Sequence, residues 1–241
     1  MKLEICIDSV QGALIAKSSG AYRVELCSNL LEGGITPSFG MVQEVCLFAD
    51  DLKVYTLIRP RGGDFLYSDE EFEIMQTDIC SCGENGCDGV VIGMLNADGT
   101  VDKERCRELI ETAKGYDMGV TFHRAFDRSN DLFQAMEDVI EIGCERILTS
   151  GGYDNAIEGK DVLRQLIEKA GQRIIIMPGA GVTPENAKEL IQYTGLQELH
   201  GTFRSMYTGK MQYKNPNLSH PEQEYNFWMT DAEKIKKIIH L

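Results

Sequence analysis

Short apolar runs rich in Val, Ile and Leu alternate along this chain with longer stretches in which apolar residues recur every three or four positions. The first pattern predicts buried strands and the second amphipathic helices. Eight strands are expected, over residues 3–9, 23–27, 53–60, 89–95, 119–126, 146–150, 173–178 and 196–201. Helices are expected between them, for example over 102–116, 131–142, 159–170 and 184–193, the last with Thr183 as its cap and Pro184 at its first position. The phrases Ser18-Ser19-Gly20-Ala21, Ile142-Gly143-Cys144 and Thr194-Gly195-Leu196 look like one joint reused, a glycine ending a helix just before a strand. Repeated βα units of this size predict a (β/α)8 barrel, the TIM-barrel form of the α/β class. A doubly wound sheet is the competitor, but it gives no reason for polar residues at the end of nearly every strand.

One segment breaks the rhythm. Residues 202–230 separate the eighth strand from a last helix over 231–240 and carry Tyr207, Tyr213, Tyr225, Phe227 and Trp228. A connection this long is expected to be functional or an interface. It reads as a cover for the barrel mouth, a subunit contact, or simple packing over the barrel end. Residues 1–241 are otherwise expected to form one barrel domain, because no Pro-rich, Ser-rich or low-complexity stretch divides them.

A net charge of −14 argues against nucleic acid or an anionic membrane surface as partner. No apolar run approaches the ~20 residues needed to span a bilayer, and the start Met1-Lys2-Leu3-Glu4 has no signal-peptide core, so a cytoplasmic protein is expected. Eight cysteines in a reducing compartment are then free thiols or ligands rather than a disulfide framework.

Candidate chemistry gathers at strand ends. In Arg59-Pro60-Arg61-Gly62-Gly63-Asp64-Phe65 the two arginines share a side if the chain is extended, which suggests a clamp for an anion; pairing with nearby carboxylates is the alternative. The triplets Glu4-Ile5-Cys6, Glu25-Leu26-Cys27 and Glu198-Leu199-His200 fall on strands that are neighbours in a closed barrel. If they are in register, the glutamates form one cluster, and Cys6, Cys27 and His200 another able to bind a soft metal such as Cu(I) or Zn(II); buried free cysteines, with His200 simply hydrogen-bonded to a glutamate, are the alternative. Buried glutamates need cations, for which Arg59, Arg61 and Arg124 are the candidates. His123 is the best acid/base candidate, with Asp127 or a glutamate such as Glu25 to orient it and Arg124 turned outward to a helix; a structural core histidine is the alternative. Ser150, Gly179, Gly181 and His200 lie on strand ends or glycine-rich turns that could help Arg59 and Arg61 hold a phosphorylated or carboxylated ligand. Cys80, Cys82 and Cys87 match no zinc spacing and are expected at a helix end, on the barrel face opposite the site.

Together these motifs resemble the CutC family of copper homeostasis proteins. The likeness rests on Arg23-Val24-Glu25-Leu26-Cys27, Glu32-Gly33-Gly34-Ile35-Thr36-Pro37-Ser38, residues 59–65, 122–127 and 148–151, and Gly179-Ala180-Gly181-Val182, and covers about the first two hundred residues. The resemblance implies a (β/α)8 barrel, cytoplasmic and often oligomeric (here a homo-oligomer), with copper as its cofactor or cargo. It makes Cys27 the first expected Cu(I) ligand, with Cys6 or Cys46 as partner. Two functions follow as expectations: a Cu(I)-binding homeostasis protein, or a barrel enzyme acting on a small anionic metabolite.

Overall fold

Eight parallel strands run in sequence order in the structure, a computed structural model that describes residues 1–217 and 225–241. They are β1 (Lys2–Ile7), β2 (Arg23–Leu26), β3 (Lys53–Leu57), β4 (Gly89–Ile92), β5 (Gly119–Phe122), β6 (Arg146–Thr149), β7 (Ile175–Pro178) and β8 (Glu198–Gly201). Hydrogen bonds link them in the order β7-β6-β5-β4-β3-β2-β1-β8, and β7 and β8 meet at the seam. Helices α1 (Val10–Ser18), α2 (Phe39–Ala49), α3 (Asp69–Glu84), α4 (Lys103–Lys114), α5 (Leu132–Ile142), α6 (Lys160–Ala170) and α7 (Ala187–Thr194) each follow a strand, giving the expected (β/α)8 barrel. After β8 come an antiparallel hairpin, β9 (Arg204–Thr208) and β10 (Asn226–Thr230), and then α8 (Ala232–Ile239).

The strands read as nearly continuous apolar runs because both faces are covered. Ile5, Val24, Val54, Val90, Val120, Ile147, Ile176 and Leu199 turn outward into the main core, where they meet helix residues such as Val45, Met75, Leu109, Val139, Leu163 and Leu190. Helix starts are fixed locally: Ser68 and Glu71 form a reciprocal capping box on α3, and the Asp102, Asp131 and Asp231 side chains cap α4, α5 and α8.

Several expected boundaries move. The third strand stops at Leu57 and the fifth at Phe122, after which a short 3-10 turn, Phe126–Arg128, carries the chain away. Helix α7 begins at Ala187, because the Asn186 side chain takes the Thr183 N–H at 2.8 Å and holds residues 184–186 as a turn. The hairpin packs against α1, with Thr230 buried beside Gly12. Of the segment expected as a possible cover, Thr202 lines the cavity at the barrel mouth and the hairpin strands do not, while residues 218–224 lie outside the described residues.

Register decides what the inward-facing residues meet. Cys6 lies level with Glu25, Glu4 with Arg23, and Glu4 also with His200. The stagger needed to close a barrel thus shifts each Glu-x-Cys or Glu-x-His triplet by one inward position against its neighbour. Facing is preserved and level is not, which replaces the two expected clusters with a mixed ladder.

Candidate functional site

The lowest layer of the interior is an ion network. Arg23 Nε donates to Glu4, and its Nη2 donates to Glu198 Oε2 at 2.5 Å, where Arg146 Nε also donates at 2.8 Å. Arg146 reaches Thr121 Oγ1 at 3.0 Å, and both guanidinium groups sit against the Tyr55 ring, 5.0 and 5.3 Å from its centroid. All four charged side chains are buried. Each such ion costs several kcal/mol of desolvation if left alone, so the network stands or falls as a unit. The cations that neutralise Glu4 and Glu198 are therefore Arg23 and Arg146, not Arg59, Arg61 or Arg124. Sequence reasoning missed both. The available signal was that each opens a strand at the same inward phase as the glutamates.

One step higher, Glu4 Oε1 lies 2.7 Å from His200 Nδ1, and His200 Nε2 is 3.6 Å from Glu25 Oε2. Burial alone would raise Glu4, but the Arg23 charge and the His200 hydrogen bond outweigh it and hold the carboxyl down at about 2. Burial opposes the charged imidazole, yet contacts with Cys6 and Glu4 and the nearby carboxylates push His200 well above the usual histidine range. Glu25 moves the other way: burial, then the Cys6 charge, raise it well above the carboxylate range.

Cys6 and Cys27 complete the ladder, both buried, with their Sγ atoms 3.6 Å apart. The hydrogen bond from Cys27 exceeds the opposing effect of burial and, with His200, brings the Cys6 thiol down to about 6; burial and the Cys6 charge push Cys27 well up. The two thiols are thus driven apart, Cys6 towards the thiolate and Cys27 towards the protonated form. Both sulfurs and a Glu25 oxygen lie within 4.8 Å of one another, as do donor atoms of Glu4, Glu25 and His200.

Above the thiols opens a cavity of about 410 Å3, whose wall includes Cys6, Glu25, Arg59, His123, Arg124 and His200. Arg59 is 5% exposed. Its Nη1 donates to Glu32 O at 3.1 Å and Gly34 O at 2.7 Å, and its Nη2 to Gly63 O at 2.8 Å. Its Nε has no partner, and no carboxylate pairs with it among the described residues. Phe65 bridges it to His123: the ring centroid is 5.0 Å from the Arg59 Cζ and 5.0 Å from the imidazole. His123 fits only because residue 93 is glycine; a Cβ there would come within 2.4 Å of the ring.

Other expected site residues take different places. The clamp of Arg59 and Arg61 does not form, because β3 ends before them and alternation ends with it. Arg61 turns to the surface, donating to Glu71 Oε1 at 2.6 Å and pairing with Asp64 at 3.0 Å, where it ties the loop to α3. His123 is not an acid/base partnered by Asp127: its Nδ1 accepts the Ala125 N–H at 3.1 Å, and burial followed by the Arg59 charge lowers it to about 3. The ring is therefore neutral with its proton on Nε2, which has no partner, and acts as a donor. Asp127 instead accepts from Arg124, Thr149, Ser150 and Gly152; Ser150 is spent on that knot, and Arg124 lies on the cavity wall instead of outside it. Cys46 is remote from Cys27: its sulfur is 3.4 Å from Cys87 Sγ, in the layer between the strands and the helices, and Cys82 packs with them. Of the glycines, Gly181 lines the cavity, while Gly179 lies beneath it, against Leu148 and His200.

Known proteins point to one family. A sequence profile described as the CutC family matches residues 1–205. The copper homeostasis protein cutC homolog of Mus musculus is 42% identical over 240 residues, covering 98% of this chain and 87% of that one. The family protein CutC of Vibrio vulnificus is 48% identical over 212 residues, covering 88% and 84%. Among solved structures, CutC from Streptococcus agalactiae superposes with a TM-score of 0.79 at 35% identity, over 84% of this chain and 98% of its own. Phosphoribosyl anthranilate isomerase from Thermotoga maritima, at 15% identity and a TM-score of 0.56, shares the barrel alone.

Proposed function

The chain belongs to the CutC family, and from that premise we propose that it serves copper homeostasis by binding Cu(I) between Cys6 and Cys27. The observation that carries the reading is the 3.6 Å separation of their sulfurs. At metal–sulfur distances of ~2.3 Å, as for zinc thiolates, two sulfurs this close can share one ion. Thiolates select soft Cu(I) over the harder cations, and Glu25 supplies a further donor within reach. Its neighbours already shift Cys6 towards the thiolate, and the ion's own charge favours release of the Cys27 proton.

The test is an anaerobic titration of the reduced protein with Cu(I) against a competing chelator. One tight equivalent is expected, lost in Cys6→Ser and in Cys27→Ser and kept in Cys46→Ser. A first equivalent that survives both of the former substitutions contradicts the reading. A homo-oligomer accompanies it as the expected partner arrangement. Its support is the hairpin β9–β10, which leaves Met206, Tyr207, Phe227 and Trp228 half-exposed on its two faces.

A further inference from the structure

Above the thiol pair, the mouth carries a second set of groups that copper does not use. Arg59 brings a positive charge to the cavity wall at 95% burial in a protein of net charge −14, yet no acidic side chain meets it among the described residues. A guanidinium has five N–H donors. Three point to the carbonyls of Glu32, Gly34 and Gly63, which leaves the Nε–H and one Nη2–H, with the buried Tyr67 hydroxyl as the polar group beside them. His123, joined to it through Phe65, adds a buried Nε2–H that is equally unpartnered.

We infer that this part of the cavity is a binding site for a small monocarboxylate, held by the free edge of Arg59 and by the His123 Nε2–H. Two donors on one guanidinium edge match the two oxygens of a carboxylate, and a third donor fits a remaining lone pair. The other walls include Leu30, Leu57, Phe65, Leu148 and Val182, which suit an apolar body behind the charged head. A phosphate dianion fits less well: no lysine lines the cavity among the described residues, and the other guanidinium on its wall, Arg124, is already paired with Asp127. The imidazole is held neutral by burial and by Arg59, so it donates without change across the physiological range. The site goes beyond copper binding and is present in the metal-free chain.

Isothermal titration of the metal-free protein with pentanoate tests it, with pentanol and inorganic phosphate as comparators. Saturable binding of one pentanoate is expected, weakened about tenfold or more in Arg59→Gln, the loss of a charge-assisted hydrogen-bond pair. Because Arg59 also holds three loop carbonyls, its variant could fail to fold, so a second readout uses the unaltered chain. In protein labelled with 15N-histidine, pentanoate should move the Nε2 resonance of one neutral histidine among the four. Stationary histidine resonances, absence of saturable pentanoate binding, or tighter binding of phosphate than of pentanoate would overturn the proposal.

Discussion

Arg23 shows how much can depend on one inward side chain. It is the shared partner of Glu4 and Glu198, and Met177 Sδ lies 3.4 Å from its Nη2. Replacing it by Met keeps the apolar stem and removes the charge, leaving Glu4 with His200 and Glu198 with Arg146. Breaking one partner out of a buried ion network costs about 3–5 kcal/mol, so Arg23→Met should lower the urea midpoint by a large fraction of the total stability. An unchanged midpoint would mean that the network is not closed as described. His123 gives a prediction in pH. Its folded pKa, about 3, lies below the unfolded value near 6.5, so the unfolded chain binds the extra proton between those values. Its contribution is complete above about pH 6.5 and is lost as pH falls towards 3; at pH 4 the loss is on the order of 3 kcal/mol. His123→Gln should therefore show a shallower fall in stability than the parent between about pH 6.5 and 4, and a parallel fall would contradict the buried neutral imidazole.

At the scale of elements, the hydrophobic period located all eight strands, because a parallel strand covered on both faces must be apolar nearly throughout. It also put Cys6, Cys27 and His200 on inward-facing positions. Period carries phase but not level: the barrel stagger that sets Cys6 beside Glu25 arises from closing the ring, which no single strand records. The Arg59 and Arg61 pairing failed for a related reason. Alternation applies only within a strand, and β3 ends at Leu57, so Arg59 folds back on loop carbonyls and Arg61 leaves for Glu71. Which thiol Cys46 meets depends on how α2 packs on β3, where Cys87 lies against Thr56. The hairpin β9–β10 has its own consequence. Tyr207 pairs with Phe227 and Met206 with Trp228 on opposite faces, and a two-stranded ribbon with apolar groups on both sides is marginal alone in water. Trp228→Asp should shift the species seen by sedimentation towards the 26.9 kDa monomer. A parent chain that already sediments as a monomer would remove the hairpin from consideration as a subunit contact.

For the molecule as a whole, the barrel stacks three chemistries along one axis: an ion network at the floor, a thiol pair in the middle, and a cation with a neutral donor at the mouth. The lower two are joined, since Glu4 connects Arg23 to His200, and His200, after the hydrogen bond from Cys27, lowers the Cys6 thiol. Family membership and the thiol separation bear on the same middle layer, so the account depends most on what Cys6 and Cys27 hold. The direct measurement is copper K-edge X-ray absorption on protein loaded anaerobically with one equivalent of Cu(I). The account predicts a Cu(I) edge and a first shell containing two sulfurs at roughly the thiolate distance of ~2.3 Å, with the sulfur signal lost in Cys27→Ser. A shell of nitrogen or oxygen only, or a two-sulfur shell that persists unchanged in Cys27→Ser, would contradict it.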